Sequence, residues 1–285
     1  MGLKMRKTEL TKTFVEIELP LIKTIKMMFD YYIRSRIGAV KIGSIKLVDE
    51  KLMRGKTLMI VKAIFLQQVY SFSPLAQKAL ENSCKNRVTI IDVGANIGVS
   101  TAYFRSKYPC INIISIEASP RNFMLLKNNI AINNFLKVEL INSFIGSKTG
   151  KINFYHNISS PGGSFGEGFK RKGTSELQKF VVSQQRLSDI VRNLQNIIIK
   201  IDVEGAEFEI LDDLASSKNI NQVIEIIAEV SIFTQQNFNA LNSILKKFNT
   251  LGFEPRFISD YTVSLLKQGV KQGHMQLSLI RGTLS

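Results

Sequence analysis

The residues with the clearest chemical signature lie at the end of an apolar run. Residues 90–98 are apolar up to Asp92 and then carry glycines at positions 94 and 98, before a helical pattern begins near Val99. Glycines let the backbone turn tightly and approach a ligand, while the free N–H groups of the following helix favour polar or anionic groups. This strand, turn and helix predict a nucleotide-like ligand.

Two further residues narrow the choice of ligand. Glu117 ends the next apolar run, about 20 positions beyond the glycine turn, where doubly wound folds hold a ribose diol with a carboxylate. A solvated strand end is the alternative for this residue. Asn96 stands where a dinucleotide site has its middle glycine, and its side chain would crowd a pyrophosphate. An adenosine with a sulfonium tail, as in S-adenosylmethionine, therefore fits better than a dinucleotide.

Three carboxylates cluster where a later apolar run gives way to a helix: Asp202, Glu204 and Glu207. Asp202 could orient a sulfonium, accept a proton from an acceptor hydroxyl or ligate a divalent cation. Glu204 and Glu207 could instead stabilise the helix N-terminus. We predict catalytic roles for Asp202, Glu204 and His156.

The remaining candidates concern a metal and a base. Glu229 ends a neighbouring strand, so a metal between it and Asp202 is an alternative, although no histidine ligand lies nearby and our prediction contains no metal. His156 precedes a glycine-rich loop and His274 lies near the final strand. Each could act as a base, and a structural or surface histidine is the alternative for both.

Apolar runs of strand length alternate with helical segments after Arg87, as in a parallel sheet with crossover helices. The predicted strands are 88–93, 111–117, 138–142, 197–202 and 223–230, with helices after the first, second, fourth and fifth. Ser119 can cap the second helix, with Pro120 in its first turn. An insertion follows the third strand: a hairpin strand at 151–156, then a glycine-rich loop at 159–173 that is either a lid or a passive loop.

The N-terminal part differs from this alternation. Residues 15–37 have apolar positions at helical spacing among basic residues, which predicts an amphipathic helix packed on the catalytic domain or lying on an anionic membrane surface. Residues 39–83 predict a short hairpin followed by helices. We therefore expect two parts, a helical extension at 1–85 and a catalytic domain at 86–285.

Composition limits the class of protein. The chain has 285 residues, 45% of them hydrophobic, and a net charge of +15, so a packed core and an acidic partner are both plausible from composition. No apolar stretch is long enough to span a membrane, and residues 1–12 lack the apolar core of a signal peptide. The spacing of Cys84 and Cys110 indicates neither a zinc site nor a disulfide framework, which favours the reducing cytoplasm, with peripheral membrane contact as an option.

Three segments together resemble the FkbM family of methyltransferases: 92–98, 186–190 and 199–207. The resemblance spans roughly residues 87–230. It implies a Rossmann-like class I methyltransferase fold, with a mostly parallel seven-stranded sheet whose last strand is antiparallel, and S-adenosylmethionine as cofactor. The cofactor-binding residues that it implies, together with those argued above, are Asp92, Gly94, Asn96, Gly98, Glu117, Asn142, Ser143 and Asp202.

The resemblance also implies a function. We expect O-methylation of a small-molecule, sugar or glycolipid hydroxyl. The net charge and the basic residues 170–172 keep RNA methylation as an alternative. A dinucleotide-dependent oxidoreductase could use the same glycine turn, and a non-catalytic binding protein could keep the fold without turnover.

Overall fold

The structure is a computed structural model that describes residues 39–49, 56–158, 164–168, 177–232, 234–257 and 273–282. The predicted amphipathic helix at 15–37 and the basic residues 170–172 lie outside these ranges. In chain order the strands are β1 (Ala39–Ile42), β2 (Ile45–Val48), β3 (Thr89–Val93), β4 (Asn112–Glu117), β5 (Val138–Asn142), β6 (Phe144–Ile145), β7 (Gly150–Asn157), β8 (Phe165–Gly166), β9 (Leu177–Gln185), β10 (Ile197–Ile201), β11 (Val223–Ile232), β12 (Phe253–Phe257) and β13 (Gly273–Arg281).

The helices alternate with these strands. They are α1 (Lys56–Val61), α2 (Pro74–Glu81), α3 (Ser83–Asn86), α4 (Val99–Lys107), α5 (Pro120–Ile132), α6 (Leu187–Ile190), α7 (Glu207–Ala215) and α8 (Gln235–Thr250). A π-helical turn, Lys62–Leu66, continues α1, and 3₁₀ turns at Val191–Asn193 and Lys218–Gln222 precede β10 and β11. Ser119 caps α5 by accepting a hydrogen bond from the Asn122 N–H, with Pro120 in the first turn, as predicted.

The central sheet has seven strands in the order β12-β13-β11-β10-β3-β4-β5. Strands β5, β4, β3, β10 and β11 run parallel, whereas β13 is antiparallel to both of its neighbours. This arrangement confirms the predicted Rossmann-like class I methyltransferase fold.

Both faces of the sheet are covered, so its central strands β3 and β10 are buried along their whole length and are apolar except for Asp92 and Lys200. Ile91 and Ile199 face a cluster that contains Leu211 of α7 and Phe248 of α8. Their neighbours Ile90 and Ile198 face a second cluster that contains Phe104 of α4. Because these strands are parallel, their carboxyl ends lie at one common edge of the sheet, where polar side chains can meet.

The described N-terminal residues pack on the second cluster. The β1–β2 hairpin is held by α5, because the Asn129 and Asn133 side chains bond the backbones of Val48 and Lys46. The hairpin and the following helices agree with the prediction for 39–83. The wholly helical character expected of residues 1–85 is not confirmed.

A buried carboxylate fixes the start of α2 to the sheet. Glu225 on β11 is 1% exposed and accepts hydrogen bonds from the Ser73 N–H and hydroxyl, at 2.9 and 2.7 Å. Its other oxygen accepts one from the Ser278 hydroxyl at 2.6 Å. Ser73 is also the N-cap of α2, so one residue starts the helix and docks it.

The insertion forms a second sheet, in the order β6-β9-β7-β8. Strand β7 extends the predicted hairpin strand 151–156 by one residue at each end. Strand β9 was not predicted, because its residues lack a strict alternation of apolar and polar types. Strand β8, from the predicted glycine-rich loop, pairs with β7.

The prediction that the two cysteines form no disulfide was wrong, since Cys84 and Cys110 are bonded to each other. Cys84 lies in α3, before β3, and Cys110 lies just before β4. Because β3 and β4 are adjacent and parallel, the segments that precede them meet at the same edge. A disulfide is typical of an oxidising compartment, so the cysteines no longer support the predicted cytoplasmic location. Among the described residues, no helix is both long and apolar enough for a membrane span.

Candidate functional site

The glycine turn lies where β3 meets β10. Gly94 has φ +78°, and a Cβ on it would lie 1.9 Å from the Asp202 carbonyl oxygen. Gly98 has φ +93°, and its Cβ would lie 2.8 Å from the Leu126 side chain of α5. Both positions therefore require glycine, Gly94 because β10 ends against it and Gly98 because α5 packs against it.

A cavity of about 230 Å³ opens at the carboxyl ends of β3, β4 and β10. Six of the predicted residues line it: Gly94, Asn96, Glu117, Ser143, Asp202 and Glu204. The apolar part of its wall includes Phe144, Phe154 and Phe165, which the sequence analysis did not single out. We call this the first cavity.

Glu117 presents a buried carboxylate to the first cavity. It is 7% exposed, and its two oxygens accept hydrogen bonds from the backbone N–H groups of Asn96 and Ser119, each at 2.8 Å. Burial raises the pKa of Glu117 to about 7, and these two hydrogen bonds oppose the rise. Each oxygen keeps a lone pair with which to accept a ligand hydroxyl.

Asp92 has a different place from the one predicted for it. It is fully buried, is not among the residues that line the first cavity, and accepts hydrogen bonds from Ser100 and Thr101 at 2.6 and 2.8 Å. Its other oxygen lies 3.0 Å from the Lys200 ammonium. Asp92 thus joins the start of α4 to β10 beneath the glycine turn.

Lys200 is the residue whose role the sequence analysis missed. It is 2% exposed and donates a hydrogen bond to the Gly94 carbonyl at 2.8 Å. Burial lowers the pKa of Lys200, but the charges of Asp92 and Asp202 outweigh it, and the pKa lies above its usual value. A lysine inside the apolar run 197–201 was the available signal, because a buried ammonium needs carboxylate partners.

A second cavity, of about 250 Å³, adjoins the first. The two share Ile60, Gly94, Asn96 and Asp202 in their walls. The second cavity is otherwise lined by side chains from the N-terminal part and from the ends of β10, β11 and β13: Ala63, Ile64, Val69, Tyr70, Lys200, Glu229 and Gln276 among them. The four shared residues, which we call the junction, place Asp202 between the cavities.

Asn96 contributes an unsatisfied acceptor to the junction. Its side-chain oxygen is buried and has no hydrogen-bond partner among the described residues. Its φ is +52°, a left-handed conformation that asparagine tolerates better than most residues. A buried acceptor without a donor is costly, so this atom fits a ligand that brings one.

The other predicted residues lie around the first cavity without all entering it. The Asn142 side chain donates to the Glu117 carbonyl at 2.8 Å and so braces the end of β4. His156 is buried, lies 2.8 Å from the Ser119 hydroxyl, and does not line the first cavity. Asp202 and Glu204 therefore both line the first cavity, whereas His156 lies beyond its wall. His274 Nδ1 lies 3.4 Å from Glu229 Oε1, at the rim of the second cavity.

Glu207 begins α7 behind Glu204. It is 1% exposed, and one of its oxygens accepts a hydrogen bond from the Gly205 N–H at 2.9 Å. Burial raises the pKa of Glu207 to about 8, against the effect of its backbone hydrogen bonds. Glu207 therefore carries a proton at neutral pH. Among the described residues there is no group of three or more His, Cys, Asp or Glu side chains arranged to hold a metal ion.

The strand order, the glycine turn and the carboxylates at the strand ends define a methyltransferase fold. Residues 92–255 match the model of the methyltransferase FkbM domain, which is more than half of the chain. The chain belongs to the FkbM methyltransferase family.

Relatives agree with this assignment. The chain is 28% identical over 181 residues to methyltransferase sdnD of Sordaria araneosa, covering 53% of this chain and 66% of that protein. It is 27% identical over 171 residues to methyltransferase 1 of Beauveria bassiana (strain ARSEF 2860), covering 54% of this chain and 65% of that protein. The chain thus spans slightly less than two thirds of each relative.

Similar solved structures include precorrin-6y C5,15-methyltransferase from Geobacter metallireducens GS-15. It is 10% identical, with a TM-score of 0.36, over 75% of this chain and 93% of that one. Another is TYW2 from M. jannaschii in complex with AdoMet, at 12% identity and a TM-score of 0.34, over 73% of this chain and 76% of that one.

Proposed function

We propose that the protein is an S-adenosylmethionine-dependent methyltransferase that methylates a hydroxyl of a small molecule, sugar or glycolipid. The observation that carries the proposal is the Glu117 carboxylate, held by two backbone N–H groups at the wall of a cavity that begins at the Gly94 turn. A carboxylate at this place accepts both hydroxyls of a ribose.

The polar groups of the site suit the parts of this cofactor. Glu117 would hold the ribose, and Ser143 with the aromatic side chains of the first cavity would enclose the adenine. The unsatisfied oxygen of Asn96 would accept a hydrogen bond from the ammonium of the methionine tail. Bound S-adenosylmethionine supplies a methyl group already activated by its positive sulfur, so the protein mainly binds, orients and excludes water.

Asp202 is the group best placed to act on the acceptor. Its carboxylate lies at the junction, and it would take the proton of the acceptor hydroxyl when that oxygen bonds the methyl carbon, the carbon–sulfur bond breaks and S-adenosylhomocysteine leaves. Glu229 lines the second cavity, which Asp202 also lines. The second cavity thus has two carboxylates beside the single ammonium of Lys200, and this excess of negative charge favours an uncharged acceptor over a phosphate-rich one such as RNA.

Calorimetric titration with S-adenosylmethionine, S-adenosylhomocysteine and NAD tests the cofactor site. We expect micromolar binding of the first two and none of NAD. Glu117→Ala should weaken both by about 10- to 100-fold, since a lost charge-assisted hydrogen bond is worth roughly 1.5–3 kcal/mol. Glu139→Ala, at an exposed position on β5, is the matched control and should bind like the wild type. Failure of the wild type to bind either nucleoside would refute the proposal.

A further inference from the structure

Tyr70 reaches the junction from outside the part of the chain that matches the family. It follows the π-helical turn, 22 positions before the start of the matched range at residue 92. The side chain is 5% exposed, and its hydroxyl donates a hydrogen bond to Asp202 Oδ2 at 2.8 Å. The Lys200 ammonium lies 5.5 Å from the centre of its ring. Tyr70 is therefore in contact with Asp202 of the junction and with Lys200, the cationic partner of Asp202.

These contacts distinguish the two carboxylate oxygens of Asp202. Oδ2 accepts the Tyr70 hydrogen bond and lies 3.6 Å from the Lys200 ammonium. Among the described residues, the side-chain contacts of Asp202, with Tyr70 and Lys200, go to Oδ2. The Asp202 side chain is 36% exposed, and Asp202 lines both cavities. Oδ1 is thus the oxygen that can face a ligand. An aspartate held at one oxygen by two partners keeps the other in a fixed direction.

The environment of the Tyr70 hydroxyl favours its protonated form, which donates the hydrogen bond to Asp202. Burial raises the pKa of Tyr70 well above its usual value, and the nearby Asp202 charge adds to the rise. Tyr70 cannot replace Asp202 as the base, because it does not lose its proton. Its part is to hold the carboxylate.

We propose that Tyr70 is a positioning residue for methyl transfer: it fixes the Asp202 carboxylate so that Oδ1 faces the positive centre of the bound cofactor and the acceptor hydroxyl. This inference rests on the proposed function, because it requires the cofactor's sulfur to lie at the junction. It assigns to the N-terminal part of the chain a direct share in the geometry of the reacting groups.

Two cofactor analogues test the inference without any knowledge of the acceptor. Sinefungin carries a protonated amine near the position of the methyl sulfonium, and S-adenosylhomocysteine is uncharged there. The ratio of their dissociation constants therefore reports how well a negative charge is held at the reacting centre. We expect the wild type to bind sinefungin about tenfold more tightly, a modest preference because Asp202 is partly exposed.

Tyr70→Phe removes only the hydroxyl. We expect it to lower the preference for sinefungin by about threefold or more while the affinity for S-adenosylhomocysteine stays within about twofold, because one charge-assisted hydrogen bond to Asp202 is lost. Asp202→Asn should abolish the preference. Tyr103→Phe is the matched control: Tyr103 is also 5% exposed, but its hydroxyl accepts from Lys107.

The outcomes separate the two proposals. A Tyr70→Phe variant that keeps the wild-type ratio, or a wild type that binds both analogues equally, would overturn the role of Tyr70 and leave the cofactor site standing. If neither analogue binds, both proposals fail. Equal loss of preference in Tyr70→Phe and Tyr103→Phe would indicate a packing effect and would also overturn the positioning role.

Discussion

Lys200 places one positive charge between two carboxylates inside an otherwise apolar strand. Its ammonium lies 3.0 Å from Asp92 and 3.6 Å from Asp202, and it bonds the Gly94 carbonyl at 2.8 Å. The Lys200 side chain thus connects the buried Asp92 to the partly exposed Asp202. Removing it leaves Asp92 as an unpaired charge in the core, which is among the most destabilising changes that a protein can undergo.

We predict that Lys200→Met lowers the free energy of unfolding by about 3–5 kcal/mol, the usual cost of breaking a buried ion pair. Urea denaturation followed by circular dichroism measures it. Adding Asp92→Asn to this variant should recover part of the loss, because the unpaired charge that Lys200→Met leaves at position 92 is then removed. Lys246→Met, at an exposed position on α8, should change stability by less than about 0.5 kcal/mol. A loss below about 1 kcal/mol in Lys200→Met would contradict the ion-pair account.

Glu207 makes stability depend on pH. Its pKa in the folded protein is about 8, against 4.5 for the ordinary group, so the folded state holds one proton more between these values. The free energy of unfolding should therefore fall as pH rises from about 5 to 8, at up to about 1.4 kcal/mol per pH unit for one such group. Urea titrations at several pH values measure the slope.

The variant Glu207→Gln isolates that contribution. Glutamine keeps an oxygen for the Gly205 N–H but has no proton to lose, so the slope should become shallower by nearly the share of one group. The slope that remains should come in part from Glu117, whose pKa of about 7 has the same sign of effect. An unchanged slope in the variant would show that Glu207 does not titrate in this range.

At this scale the sequence predicted residue types better than their roles. Glu117 and Asp202 lie at the cavity as expected, because strand ends in a parallel sheet are fixed by the pattern of apolar runs. Tyr70 could not be predicted, since its contact with Asp202 spans 132 positions and depends on how the N-terminal part docks. The direction of a side chain is set by tertiary packing, which cannot be predicted from the spacing of residues along the sequence.

The five parallel strands of the central sheet were predicted closely from the sequence, whereas β12 and β13 were not placed. The run 138–142 agrees with β5 at both ends, and 88–93 differs from β3 by one residue. Buried parallel strands such as β3 are nearly continuous apolar runs, so their limits are sharp. The insertion was predicted less well, because β9 is partly exposed and its register is set by pairing with β7.

The disulfide joins two elements that the sequence analysis left unconnected. Cys84 and Cys110 are 26 positions apart, and closing a loop of this size stabilises a protein by about 3 kcal/mol in the chain-entropy model. We predict that Cys84→Ser/Cys110→Ser lowers the free energy of unfolding by about that amount in urea. Dithiothreitol should produce a similar loss in the wild type and none in the double variant. Equal midpoints for oxidised wild type and variant would contradict the prediction.

The molecule has a family-matched region, a part that precedes it, and a part that follows it and includes β13. Residues 92–255 carry the glycine turn, Glu117 and Asp202, whereas residues 56–70 supply much of the wall of the second cavity. The boundary that we predicted near residue 85 remains a prediction. Nevertheless, the family-matched region and the part that precedes it share the cluster around Phe104 and meet at the junction.

The hydrogen bonds between Ser73 and Glu225 fix the N-terminal part to the sheet at a position that does not line the second cavity. Ser73 is bonded to the buried carboxylate of Glu225 on β11, whereas Tyr70, three positions earlier, lines the second cavity. The segment 60–69 also contributes Val61, Ile64 and Phe65 to the second cluster, so only cavity-facing side chains such as Ala63 can vary without disturbing that packing. A change of side-chain volume at such a position would alter the second cavity while the anchor at Ser73 stays in place.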